Sequence, residues 1–133
     1  MPNAVYDKGR EAFLAGDIDW AVDTIKVALV SSSYTPNTST DQFWSTASSA
    51  VIGTPQTLAS KTLTAGVADA ADVIFTAVSS GTVSKLVIYK DTGTDSTSPL
   101  ICVIDTASGL PVTANGGDIT IAFDGGSNRI FKL

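Results

Sequence analysis

Histidine is absent from this chain and cysteine occurs once, at Cys102. Without histidine, the usual proton shuttle near neutral pH and the commonest metal ligand are missing, which excludes Ser-His and Cys-His catalysis within one chain and the usual zinc sets. A single cysteine excludes an internal disulfide, and its place in the middle of an apolar run marks it as a small buried hydrophobe rather than a nucleophile. Charge is sparse as well. Only 16% of residues are charged and the net charge is -5, so the Lys/Arg footprint that a phosphate backbone requires is lacking and no nucleic-acid partner is expected. No apolar run reaches membrane-spanning length, and the opening "MPNAVYDKGREAFLAG" carries charges where a signal peptide would be apolar. These absences lead to the expectation of a soluble product of a cytosol, with no membrane partner and no cofactor.

What is present is β-forming. The chain holds 15 Ser and 17 Thr, yet 44% of its residues are hydrophobic, many of them Val and Ile. That mixture suits many short strands with polar connections, whereas disorder would need low hydrophobicity and strong charge. A length of 133 residues fits one domain, 1–133, that buries roughly two thirds of the surface its unfolded form exposes.

Helical spacing is found only at the start. Asn3 can cap a helix over about 4–15, in which Val5 and Ala12, and Tyr6 and Phe13, recur at the helical period and Gly16 stops the chain. Gly9 weakens this helix by about 1 kcal/mol. From Thr24 the period changes to two, giving a first strand through Val30. A long loop, 31–50, follows. It carries Phe43 and Trp44, which are read either as a lid on the core or as a contact surface for a partner. Further strands are predicted at "QTLASKTLT", "DVIFTAV", "VSKLVIYK", "PLICVID", "DITIAFD" and "RIFKL", separated by Gly, Pro, Asn and Asp. This rhythm predicts an all-β fold: an antiparallel β-sandwich, with a jelly-roll-like arrangement as one variant, and one short N-terminal α-helix.

Residues 86–89 and 100–104 are apolar at every position, so both faces of that hairpin must be shielded from water. The cover is expected from the helix, the long loop or another subunit. Between the two strands lies Asp91-Thr92-Gly93, the tripeptide on which aspartic proteases mount a catalytic carboxylate. Here Lys90 precedes it, a cation that opposes the shared proton of an aspartate pair, and the apolar-apolar-Gly segment Val51-Ile52-Gly53 comes before it rather than after. The tripeptide is therefore read as a turn, and no peptidase activity is expected. Asp91, Asp95, Asp118 and Asp124 match no calcium-ligand spacing, and Gly116-Gly117 and Gly125-Gly126 read as hairpin turns.

The segments "YDKGREAFLAGDIDWAVDTIKVALV", "VIYKDTGTDSTSPLI", "DTASGLPVTANGGDITIAFD" and "NRIFKL" resemble a family of small virion structural proteins of tailed bacteriophages, and the likeness spans nearly the whole length. The resemblance implies a capsid decoration (cement) protein on the virion exterior, synthesised in the bacterial host cytoplasm. Its partners would be the major capsid protein and further copies of itself, a trimer being the expected homo-oligomer. A tail or head-tail component and a carbohydrate-binding adhesion module are the alternatives, with an aspartic protease-like enzyme remote from both. The family pattern carries no catalytic residues. The candidate interaction surface is formed by Tyr6, Phe13, Trp20, Tyr34, Phe43 and Trp44, the last named with Trp20 and Tyr34 as the aromatics that could stack on sugar rings.

Overall fold

Strands with no polar side need a layer on each face, and the structure supplies both layers from one chain. The computed structural model describes residues 4–78, 81–104, 112–121 and 130–132. Asn3, Asp124, Gly125-Gly126 and Leu133 lie outside the described residues. In chain order the elements are β1 (Ala4–Val5), α1 (Asp7–Ala15), β2 (Ile25–Val30), β3 (Val51–Thr57), β4 (Thr62–Thr64), β5 (Val67–Asp69) and β6 (Val73–Phe75). They continue as β7 (Thr82–Val83), β8 (Lys85–Lys90), β9 (Leu100–Ile104), β10 (Val112–Thr113), β11 (Ile119–Ile121) and β12 (Phe131–Lys132). Five strands form an antiparallel sheet in the order β1-β9-β8-β2-β3, and three short antiparallel ladders, β10-β7, β11-β6 and β12-β5-β4, make the opposing layer. The expected all-β sandwich with one short helix is what is seen, with one long sheet facing small ladders.

The period-two pattern divides the central strands between two cores. Ile25, Val27 and Leu29 of β2, Leu86 and Ile88 of β8, and Cys102 and Ile104 of β9 face the ladders, where Phe75, Val83 and Ile121 meet them. Ala28, Val30, Val87, Tyr89, Leu100 and Val103 face the other way, onto a second buried cluster. A β-bulge keeps the alternation in step: Ile88 pairs with Cys102 but Tyr89 pairs with Leu100, leaving Ile101 as the extra residue.

The N-terminus departs from the helix expected over 4–15. Residues 4 and 5 are a strand, with Ala4 opposite Val103 and Val5 opposite Cys102, because pairing on the open edge of β9 outweighs a weak local helical preference. Tyr6, extended at φ -65° and ψ 140°, occupies the cap position with no side-chain capping bond. Gly16 does end the helix, at φ 81°, with its N–H directed to the carbonyls of Ala12 and Phe13. β3 also begins earlier than the sequence suggests. Gly53 (φ 70°) and Pro55 look like breakers, yet they sit where the β2-β3 register shifts, on the outermost strand of the sheet, a place where proline costs no ladder bond. Among the described residues no helix is long and apolar enough to cross a membrane, which says nothing of β-barrels.

Gly9 has a role that helix propensity conceals. It is buried, and a Cβ there would lie 2.6 Å from the Leu100 carbonyl oxygen and 3.2 Å from the Ile101 Cα. The neighbours are backbone and cannot swing aside. The helix thus seals the part of the β9 edge that β1 leaves open, and only glycine permits the approach. Gly9→Ala would gain about 1 kcal/mol of helix propensity but incur an overpacking cost of about 1–3 kcal/mol. The expected outcome is a lower melting temperature; an unchanged or raised one in a thermal scan would show that the helix does not seat on β9 as described.

Candidate functional site

The six aromatic residues expected to form a contact surface separate into three groups. Tyr6, Tyr34 and Trp44 are buried in the second core, over the β2-β8-β9 face. Trp20 is buried against the first core. Phe13 and Phe43 are half-buried. An exposed surface made of all six is therefore corrected, and so is an open aromatic platform of Trp20, Tyr34 and Trp44, since all three are buried and Trp20 belongs to a different core from the other two.

The long loop acts as a strap. Short 3-10 turns at Trp44–Thr46 and Ser48–Ala50 lay Trp44, Ala47 and Ala50 on the sheet. The Trp44 ring stacks on Tyr89 with centroids 4.5 Å apart and planes 5° from parallel. Phe43 forms an isolated antiparallel bridge with Pro99, and the Trp44 N–H donates to the Ser98 carbonyl at 2.8 Å. Tyr34 donates its hydroxyl to Asp41 Oδ2 at 2.7 Å, so the 2.6 Å contact with Tyr6 has Tyr6 as donor. Burial pushes both phenols upward, and both remain protonated donors throughout the ordinary pH range. Of the three covers expected for this hairpin, the helix, the long loop or another subunit, it is the long loop that lies over this face.

Asp91-Thr92-Gly93 is a turn. Gly93, at φ 90°, donates its N–H to Asp91 Oδ1 at 2.9 Å, closing the side-chain turn that aspartate favours. Ser98, fully buried, accepts the Thr92 N–H at 3.1 Å and donates to the Thr94 carbonyl at 2.8 Å. The cation that faces Asp91 is not Lys90. Lys26 Nζ lies 3.1 Å from Asp91 Oδ2, whereas Lys90 reaches the Asp17 carbonyl at 2.6 Å and the Asp23 carboxylate at 3.2 Å. The Gly93 N–H is the largest influence on Asp91 and draws its carboxyl below the ordinary range; partial burial opposes that, and Lys26 adds to it. Asp118 accepts the Ala77 N–H, and Gly116 at φ 90° supplies the neighbouring turn. Among the described residues no three His, Cys, Asp or Glu side chains gather to hold a metal ion.

An open apolar groove of about 380 Å³ lies between the end of α1 and the β4-β5 hairpin. Phe13, Ile18 and Trp20 form one wall, and Leu63, Val67 and Ala68 the other, with Asp19 the carboxylate among its lining residues. The two walls are tied by the Trp20 indole N–H, which donates to the Thr62 carbonyl at 3.0 Å. Leu63 is 59% exposed. Leu14, beside Phe13 in sequence, is 89% exposed, and Val22, two residues past Trp20, is 79% exposed. Of the six candidates, then, Phe13 and Trp20 belong to this groove. Leu63 and Val67 carry no sequence signal of this role, because a short Thr-Leu-Thr strand looks like any edge and its leucine stands on a segment with no apolar period. The hairpin wall is strained, with Ala65 at φ 53° followed by Gly66 at φ 79°. Two such residues define the turn that favours Asn-Gly.

No protein-family model, curated protein or solved structure matches this chain.

Two outcomes follow from this geometry. Ala65→Asn is expected to raise stability by a few tenths to about 1 kcal/mol, since asparagine tolerates the left-handed region better than alanine; chemical denaturation would check it. For Asp91, whose folded pKa is depressed, the stabilising contribution is present above the ordinary carboxylate range and is lost as pH falls through the folded value. Asp91→Asn should therefore lower the melting temperature at neutral pH, by a margin that shrinks as acidification carries the parent through its folded value. An equal loss at neutral and acidic pH would show that the charge on Asp91 contributes nothing.

Proposed function

We propose that this chain is a virion structural protein of a tailed bacteriophage, a decoration protein that binds the outside of the assembled head and ties neighbouring capsid subunits together. The observation that carries the reading is the apolar groove with Leu63 exposed on its wall. A chain that covers both faces of its central sheet unaided has solved its own folding problem, yet keeps Leu14, Val22, Leu63 and Ile74 in water, Leu63 on the groove wall, each forfeiting about 1.5–3 kcal/mol of possible burial. Apolar area of that kind marks a contact surface. The resemblance of its segments to phage structural proteins supplies the partner class, and the net charge of -5 suits an outer position, away from packaged DNA.

The mechanism is thermodynamic. A protein that binds the closed shell but not its dissociated subunits stabilises the shell by mass action, by about 2.7 kcal/mol per site at a free concentration one hundred times the dissociation constant. Repetition over many equivalent sites multiplies that increment. Several copies are used, and a trimer at three-fold or quasi-three-fold positions is the arrangement that shell symmetry favours.

Shells lacking the protein are expected to assemble but to open at lower temperature, and adding the purified protein should restore the wild-type transition. If it fails to bind emptied shells, or if its density is found at the tail tip of an imaged virion, the decoration reading is wrong.

A further inference from the structure

We infer that the groove between α1 and the β4-β5 hairpin receives a segment of the shell protein in which an apolar anchor is flanked by a lysine or arginine, and that it is not filled by a second copy of this chain. The inference rests on the decoration reading above. Shape and hydrophobicity supply the first half. The groove is walled by Phe13, Ile18, Trp20, Leu63 and Val67, its volume falls in the range of binding clefts of about 300–1,000 Å³, and Leu63 stands exposed on the wall. Its walls are held at fixed separation by the Trp20–Thr62 hydrogen bond, so the site exists before a partner arrives.

Charge supplies the second half. Asp19 lines the groove, its Oδ1 accepting the Ala21 and Val22 N–H groups at 3.1 and 3.3 Å but facing no cation among the described residues. Asp17 is exposed between the lining residues Gly16 and Ile18, with no ion pair at its carboxylate among the described residues. The described side chains of a second copy have little to offer them. Among the described side chains, Lys8 pairs with Glu11 and Arg10 with Asp7, Lys26 with Asp91 and Lys90 with Asp23. Lys61 is committed to the Asp23 carbonyl and Lys85 to the Tyr34 carbonyl. Two copies of so acidic a chain would bring like charges to the rim, whereas a basic residue beside the anchor of a different protein would meet Asp17 and Asp19 with the opposite sign.

The test is cosedimentation of the full-length protein with emptied shells of the phage that encodes it. Leu63→Asp should weaken binding by about tenfold or more, as loss of a central apolar anchor does, and the milder Leu63→Thr by less, both with melting temperatures close to the parent. Ile74→Asp, at an exposed apolar position outside the groove, should leave binding unchanged. Asp17→Lys should weaken binding at about 0.05 M salt and match the parent at about 1 M, where screening shortens to about 3 Å. Absence of binding by the parent protein would overturn the decoration reading and this inference with it. Binding by the parent that neither Leu63 variant alters would overturn the groove alone. A homo-oligomer of the free protein that Leu63→Asp dissolves would assign the groove to a second copy and overturn the inference, as would tighter binding by Asp17→Lys.

Discussion

Everything in this molecule follows from strands β2, β8 and β9 having no side that tolerates water. Their residues alternate between two apolar sets, Val27, Leu86 and Ile88 on one face and Val30, Val87 and Leu100 on the other. A sheet with that composition is stable only between two layers. The short ladders β4 to β7 and β10 to β12 supply the first layer. The second is the strap of residues 31–50, which has almost no regular structure and so must be fixed by particular contacts. The Trp44–Tyr89 stack provides one, and an aromatic ring of this size removes about 150–250 Å² from water. The hydroxyl chain from Tyr6 through Tyr34 to Asp41 provides another, joining the N-terminal segment, the start of the strap and its middle.

Local patterning was enough to locate what local forces decide. The strands at 25–30, 85–90 and 100–104, the helix stop at Gly16 and the turn character of Asp91-Thr92-Gly93 could each be read from period, glycine placement or turn chemistry. What stayed hidden depends on partners distant in sequence. Ala4 and Val5 are a strand only because the edge of β9 is there to receive them. Gly9 looks like a defect of a helix until the Leu100 carbonyl is placed against it. Tyr6, Tyr34 and Trp44, amphipathic residues in polar surroundings, fit a contact surface as well as a lid, and only the geometry of the strap decides between them. The groove was half legible, through Phe13 and Trp20; its other wall is a three-residue strand whose single leucine carries no periodic signal.

The charged residues follow the same division. Lys26, Lys85 and Lys90 each fasten a loop or turn to the sheet, through Asp91, the Tyr34 carbonyl and the Asp17 and Asp23 pair, and Lys61 ties its own loop to the Asp23 carbonyl. Half-exposed pairs of this kind each contribute about 0–1 kcal/mol, so their role is to set the positions of turns more than to hold the fold. With the described cations used in this way, the acidic groups left on the surface give the molecule its sign.

The pairing of Ala4 with Val103 has a consequence for synthesis. A ribosome adds about 5–20 residues each second, so the first strand and the helix behind it emerge seconds before the edge they must cover exists. Until β9 appears, Tyr6 has no Ile101 carbonyl to donate to and Gly9 has no backbone to rest against. Residues 4–16 therefore wait without their partner, and the β1 edge of the sheet closes only after β9 has been made. Contacts of such long sequence separation slow folding, so the docking of residues 4–16 is a late step that cannot precede the emergence of β9.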